Sequence, residues 1–170
     1  MYGIAPKLRR EVRLNDPEKV RVLATATGFF YPAEVDVAVE LAEERLARGD
    51  ASEYWFVFAE DAYGAADDAG SETFGYACYG PVSMTRSSWD LYWIAVHPAS
   101  QGRGVGRTLL VAVEGDVRAR GGTQLWVETA GRPAYEPTRE FYRRSGYALA
   151  AELPDFYAPG DAKIVFVKRL

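Results

Sequence analysis

Val96-His97-Pro98-Ala99-Ser100-Gln101-Gly102-Arg103-Gly104-Val105-Gly106-Arg107 is the stretch that decides how this 170-residue chain is read. Before it, residues 89–96 are aromatic and branched and end at Pro98, which predicts a strand. After it, residues 104–120 place Val105, Leu109, Val113 and Val117 at four-residue spacing, the apolar stripe of a helix packed on a sheet. Glycines between the two let the main chain curl and approach a ligand without a Cβ in the way. Amides at a helix start have no acceptor inside the helix, and the helix dipole turns them towards negative charge. Arg103 and Arg107 add two cations that can reach a diphosphate. The turn therefore reads as an anion cradle.

Two familiar phosphate loops are excluded by the same letters. A Walker A loop ends in Gly-Lys-Ser/Thr, whereas Gly106 is followed by Arg107 and Thr108. A Rossmann turn needs its third glycine three positions after the second, and counting from Gly102 and Gly104 that place is Arg107.

Upstream, residues 8–14 predict a first strand with Leu8, Val12 and Leu14 on one face. Asn15 and Asp16 before Pro17 predict a capped helix start, with the helix ending near Gly28. A second helix is expected over residues 32–47, with Val35, Ala38, Val39, Ala42 and Leu46 at helical spacing and Gly49 as its stop. Residues 54–59 read as a strand buried on both faces, and residues 73–79 as its partner. Between them Gly64, Asp67, Asp68 and Gly70 mark residues 60–72 as a mobile hairpin loop.

Downstream, Gly121 and Gly122 end the long helix and residues 125–129 form a fifth strand. Pro137 opens a short helix to about residue 145 with Gly146 beyond it, and strands follow over residues 148–153 and 164–168. A crossover helix between the fourth and fifth strands makes that pair parallel. The expected class is α/β (α+β), in one domain without repeats or linkers.

Composition narrows the function. Hydrophobic residues at 48% and aromatic residues at 14% suit one domain with a full core. A net charge of −4 argues against a nucleic-acid partner. No apolar run is long enough to span a bilayer, and residues 1–10 lack the apolar region of a secretory signal, so a cytoplasmic protein without a membrane is expected. Cys78 is the only cysteine and His97 the only histidine. An internal disulfide and a multi-cysteine metal site are thereby excluded, zinc lacks enough good ligands, and no metal is expected.

Gln101, Gly104 and Gly106 match the signature of the GNAT superfamily of acyl-coenzyme A-dependent N-acyltransferases: Gln or Arg, two residues, Gly, one residue, then Gly or Ala. Trp93-Ile94-Ala95-Val96-His97-Pro98 resembles the family's fourth strand and its exit. Phe141-Tyr142-Arg143-Arg144-Ser145-Gly146-Tyr147 resembles the aromatic, three residues, Gly, aromatic ending of the family's fourth helix.

The resemblance covers essentially the whole chain, residues 1–170, as one GNAT acetyltransferase domain. It implies a central mixed six- to seven-stranded sheet, about four helices on both faces, and fourth and fifth strands that splay apart. It further implies acetyl-CoA as co-substrate. Ile94, Ala95 and Val96 would offer main chain to the pantetheine, while Gln101, Gly102, Arg103, Gly104, Val105, Gly106, Arg107 and Thr108 hold the diphosphate. The acceptor would be a primary amine on a small molecule or peptide, attacking directly within a ternary complex. Relatives commonly form homodimers, though no residue pattern here demonstrates one.

An amine with a pKa of about 10.4 is mostly protonated at neutral pH, and deprotonating it costs roughly 4–5 kcal/mol. A base is therefore useful. The resemblance points to Asp90, where some relatives carry a catalytic glutamate, and Glu128 at the end of the fifth strand is the other candidate; either can act through water. Tyr142 stands where the family commonly places its general acid, and a phenol can donate that proton. One departure is Tyr135, which stands seven residues before Tyr142, where many relatives carry a cofactor-binding asparagine.

Other residues have plainer explanations. His97 reads as a loop residue and Cys78 as a small core residue. Glu34, Asp36, Glu40, Glu43 and Glu44 could draw a cationic acceptor, but a solvated helix face with a Glu44–Arg48 pair explains them too. Phe29, Phe30 and Tyr31, with Phe156 and Tyr157 in an expected loop over residues 154–161, could wall a pocket or cap the core edge. The competing reading is a non-catalytic module that binds acyl-CoA as a sensor.

Overall fold

The computed structural model describes residues 6–62 and 72–170. Its strands are β1 (Lys7–Arg9), β2 (Trp55–Glu60), β3 (Thr73–Pro81), β4 (Ser88–Val96), β5 (Gln124–Ala130), β6 (Ala148–Ala158) and β7 (Asp161–Arg169). Its helices are α1 (Asp16–Thr27), α2 (Pro32–Arg48), α3 (Val105–Ala119) and α4 (Glu136–Arg144). The strands form one mixed seven-stranded sheet in the order β1-β2-β3-β4-β5-β7-β6. β4 and β5 are parallel, in register from Ser88↔Gln124 to Leu91↔Val127, as the crossover helix requires. Most of the expected loop over residues 60–72 lies outside the described residues.

The chain divides into two compact units, Met1–Gly80 with Trp93–Val113, and Pro81–Tyr92 with Glu114–Leu170. In the first, Val20 and Leu23 of α1 and Ala38, Val39 and Ala42 of α2 bury against Phe56 and Phe58 of β2, Tyr76 and Cys78 of β3, and Ala95 of β4. Only the first residue of β2 is incompletely buried, in keeping with a strand covered on both faces.

The first strand is shorter than expected, because Arg9 turns inward. Its guanidinium donates to Asp16 Oδ2 at 2.7 Å and Asp16 Oδ1 at 2.9 Å, to Glu60 Oε1 at 2.6 Å and to the Glu11 carbonyl. The expected side-chain cap at Asn15 is absent. Asp16 instead accepts from the Arg13 amide at 2.6 Å and pairs with Arg9. Burial pushes the Glu60 carboxyl up, but hydrogen bonding and charge from Arg9, with Lys19 and Arg13, bring it below its ordinary value.

In the second unit, β5 and β7 pair antiparallel from Gln124↔Arg169 to Ala130↔Lys163. Tyr142 of α4 lies 6.0 Å from the Phe166 ring of β7 and 5.6 Å from Tyr147, centroid to centroid. Lys168 Nζ donates to both Glu114 oxygens, at 2.8 and 2.9 Å, and to the Ser145 carbonyl, joining α3, the end of α4 and β7. The expected loop over residues 154–161 is largely strand, since β6 continues through Pro154, Phe156 and Tyr157 to Ala158. A register shift between Leu153 and Ala158 absorbs Pro154, whose missing amide an edge strand tolerates. Among the described residues no helix is long and apolar enough to cross a membrane, and no cluster of His, Cys, Asp or Glu could hold a metal.

Candidate functional site

The glycine turn belongs to the first unit. Gly102 and Gly104 have φ of 72° and 83°, which favours glycine, and a Cβ at either would meet nothing within 4 Å. The amides of residues 102–107 have no acceptor among the described residues. Gln101 differs, because its amide donates to the Pro98 carbonyl at 3.3 Å and its side-chain Nε2 to the Val96 carbonyl at 3.2 Å. These bonds shape the turn and use one of the two N–H donors that the side-chain amide carries. Thr108 donates from both amide and hydroxyl to the Gly104 carbonyl, at 2.9 and 3.1 Å, so it closes the first turn of α3. Arg103 and Arg107 are exposed and enter no ion pair among the described residues.

The strand entering this turn is held from behind by Gly75 of β3. An added Cβ there would stand 2.6 Å from the Ala95 carbonyl oxygen and 3.2 Å from Val96 Cα. Ala95 is buried, while Ile94 and Val96 are half-buried. His97 is structural, since its amide donates to the Phe74 carbonyl at 2.8 Å and its Nδ1 accepts from the Ala99 amide at 3.2 Å.

The residues that can handle protons lie in the second unit. Asp90 of β4 stands in register with Trp126 of β5. Burial, then the nearby Glu128 charge, raise its carboxyl above the ordinary value, and Lys163 opposes them. Glu128 is bound by Lys163, Nζ to Oε2 at 2.6 Å, and the same ammonium lies 4.8 Å from the Phe156 ring centre. Tyr142 is only 4% exposed, and desolvation pushes its phenol well above the ordinary value. Arg139 fixes α4 to the end of β5, donating to the Ala130 carbonyl at 2.6 Å and the Arg132 carbonyl at 3.1 Å. Thr129 of β5 carries a buried hydroxyl with no partner among the described residues.

Other candidates are committed elsewhere. Cys78 is buried in the core, and desolvation raises its thiol well above the ordinary value, which removes a nucleophilic role. Glu34 Oε2 accepts from the Tyr31 amide at 2.7 Å, Asp36 pairs with Arg21 at 2.7 Å, and Glu44 pairs with Arg48 at 2.5 Å, as the plainer reading of that helix requires. Phe30 packs edge-on against Trp93 at 4.7 Å. Tyr135 sits in a 3-10 turn, Pro133–Tyr135, with the Arg132 guanidinium 5.2 Å from its ring.

Gly75, Thr129, Arg139 and Lys163 escaped the sequence reading. A glycine inside an aromatic strand signals close backbone approach and could have identified Gly75. Pairing Lys163 with Glu128 needs the β5–β7 register, which no local pattern reveals.

The family model described as an acetyltransferase (GNAT) domain matches residues 51–149. A protein from Desulfovibrio desulfuricans assigned to the GNAT family shares 46% identity, with 97% of this chain and 99% of that chain covered and a TM-score of 0.89. An aminoglycoside 6'-N-acetyltransferase complexed with coenzyme A superimposes at TM-score 0.73 and 21% identity, covering 96% of each chain. The ribosomal-protein-S18-alanine N-acetyltransferase from Escherichia coli does so at TM-score 0.70 and 17% identity, covering 96% of this chain and 92% of that one. Among curated proteins, none matches.

Proposed function

Because the chain belongs to the GNAT family of acetyltransferases, we propose that it transfers an acetyl group from acetyl-CoA to a primary amine within a ternary complex, residues 1–170 acting as one domain. The observation that carries the reading is the row of amides over residues 102–107 that find no acceptor among the described residues, a row that includes Arg103 and Arg107, neither of which enters an ion pair among those residues. Paired phosphates need donors, positive charge and room, and all three are present at this helix start. The coenzyme A held by the aminoglycoside enzyme of the same fold supports that choice of ligand.

When bound, acetyl-CoA supplies a thioester-activated acetyl group. The amides of Gly102, Arg103, Gly104, Val105, Gly106 and Arg107 hold the diphosphate, and Gln101 and Thr108 keep the turn in shape. Main chain at Ile94, Ala95 and Val96 lines the pantetheine. The Val96 carbonyl retains a second lone pair beyond its bond from Gln101.

Asp90 takes the proton from the acceptor ammonium through water. Its raised carboxyl suits this better than an ordinary aspartate would, because a base works best when its pKa approaches the working pH. Glu128, occupied by Lys163, is the second candidate. Tyr142 is the general acid at the departing sulfur, and burial keeps its phenol in the donating form. A thiol with a pKa of about 8.5 is more acidic than this phenol, so the donation begins as a hydrogen bond and solvent completes it. The acceptor is an amine-bearing small molecule or peptide.

Two measurements test the proposal together: calorimetric titration with coenzyme A, and thiol release from acetyl-CoA with grouped amines. Binding with release for one amine class is the expected result. Binding without release across the whole panel would favour the acyl-CoA sensor, and absence of binding would overturn the assignment of the turn.

A further inference from the structure

Three strands of the second unit bring two carboxylates and an ammonium onto one face of the sheet. Asp90 of β4 is in register with Trp126 of β5, and Glu128 shares the face of Trp126 because alternate residues of a strand point the same way. On the other side of β5, Ala130 stands opposite Lys163 and Glu128 opposite Val165, which makes Lys163 the diagonal neighbour of Glu128. The contact is made, Lys163 Nζ to Glu128 Oε2 at 2.6 Å. Phe156, in the stretch of β6 where the register shifts between Leu153 and Ala158, places its ring centre 4.8 Å from the same ammonium. A ring face attracts a cation, so Lys163 is held from β5 and β6 at once. Its side chain is 17% exposed, against 51% for Glu128.

We propose, on the reading that Asp90 is the base, that Lys163 is a positioning residue: it holds Glu128 in an ion pair and so leaves Asp90 as the carboxylate that takes the acceptor's proton. Two carboxylates on one face repel, and each strengthens the other's hold on a proton. An ammonium bound to one of them offsets that repulsion without occupying the second. Asp90 accepts no hydrogen bond among the described residues, so its oxygens stay available. Burial and then Glu128 raise its carboxyl, and Lys163 opposes them.

The remaining charged groups of these strands are differently placed. β3, on the far side of β4, carries none from Thr73 to Pro81, and Asp90 is the only charge on β4. On β7, Asp161 pairs with Arg132, Lys168 binds Glu114 on the opposite face, and Arg169 is exposed opposite Gln124 at the other end of this one. On β6, Glu152 stands opposite Ile164, on the other face, and Asp155 accepts from the Gly160 amide at 2.7 Å. α4 packs on Phe166, also on the other face. An ion pair with a half-exposed carboxylate adds little to stability, so the loss of this lysine should register in proton handling rather than in the melt.

Lys163→Met and Lys163→Arg are compared with wild type in two readouts: kcat/KM against pH for an accepted amine, and the carbon-13 titration of the Asp90 carboxyl, which needs no turnover. Lys163→Met removes a cation, so the Asp90 titration and the acidic limb should both move to higher pH. The expected move is roughly 0.5–1 unit, less than the 1–3 units of a directly bound charge. Lys163→Arg keeps the cation and should keep both near wild type. Glu128→Gln reads the same arrangement from the other side: losing the repelling charge should move both to lower pH, with turnover retained. The proposal is overturned by an Asp90 titration that does not move in Lys163→Met, by a Lys163→Arg protein that shifts as far, or by a Glu128→Gln protein without turnover, which would make Glu128 the base. A wild type that acetylates no amine would sink the proposed function and this role with it; an active wild type with an unmoved titration sinks the role of Lys163 alone.

Discussion

Replacing Gly75 with alanine perturbs the strand that enters the glycine turn without touching the turn. The new Cβ would lie 2.6 Å from the Ala95 carbonyl oxygen and 3.2 Å from both Val96 Cα and Val96 Cγ2. Close carbon–oxygen contacts begin near about 3.3 Å, so roughly 0.7 Å of overlap must be relieved. Relief falls on backbone, because two of the three obstructing atoms belong to the main chain of β4 and Gly75 is in register with Ala59 of β2 on its other side. Overpacking of this kind costs about 1–3 kcal/mol, against a gain of about 0.4–1 kcal/mol from a less flexible unfolded chain. The net expectation is a loss of about 1–2 kcal/mol, a Tm lower by roughly 3–6 °C at this chain length. Displacing Ala95 and Val96 should also weaken coenzyme A binding by roughly tenfold, about 1.4 kcal/mol. Differential scanning calorimetry and isothermal titration read the two effects. Gly115 is the control, since it lies in α3 with open space around its Cβ position, and Gly115→Ala should stabilise by about 0.5–1 kcal/mol. A Gly75→Ala protein as stable as wild type, with unchanged affinity, would refute the close approach of β3 to β4.

Arg9→Met strands two buried carboxylates, Asp16 and Glu60, and should cost about 3–5 kcal/mol by urea denaturation. Because the Glu60 carboxyl is held below its ordinary value, its contribution is present at neutral pH and lost as pH falls through the folded value, so the variant should also lose that acid dependence. Tyr142→Phe should lower kcat at least roughly tenfold, about 1.4 kcal/mol of barrier, while coenzyme A affinity stays similar; an unchanged rate removes Tyr142 from the mechanism. The raised Asp90 carboxyl makes a contribution that is present at low pH and lost as pH rises through the folded value. Asp90→Asn should therefore be more stable than wild type at neutral pH yet slower, with the acidic limb of kcat/KM gone, and retention of that limb would assign it to another group.

The order of strands and helices was legible because its punctuation is chemical. Gly28 ends α1 at a φ of 72°, Pro32 and Pro137 stand in the first turns of α2 and α4, and the stripe from Val105 to Val117 is buried at Val105, Leu109, Val113 and Val117. Where the reading erred, a long-range partner outweighed a local preference. Arg9 meets Glu60 across fifty-one positions, which ends β1 early and takes Asp16 away from any capping role. Pro154 suggested a loop because it cannot donate to a ladder, but on an edge strand that donor is not required.

The two halves of the candidate chemistry differ in legibility for the same reason. A phosphate cradle made of main chain needs glycines at positive φ, so its residues are written in one short segment, Gly102 and Gly104 above all. Proton transfer depends on how carboxylates sense one another across strands, and that is set by register. Asp90 is raised by its own burial and by Glu128, yet Glu128 is tied to a lysine that β7 delivers thirty-five positions later. Removing Lys163 would release Glu128 and strip Asp90 of the one cation that opposes its rise. The lysine thus belongs to the proposed proton-handling set although it touches only one of the two carboxylates, and its place there follows from the pairing of β5 with β7 rather than from any motif.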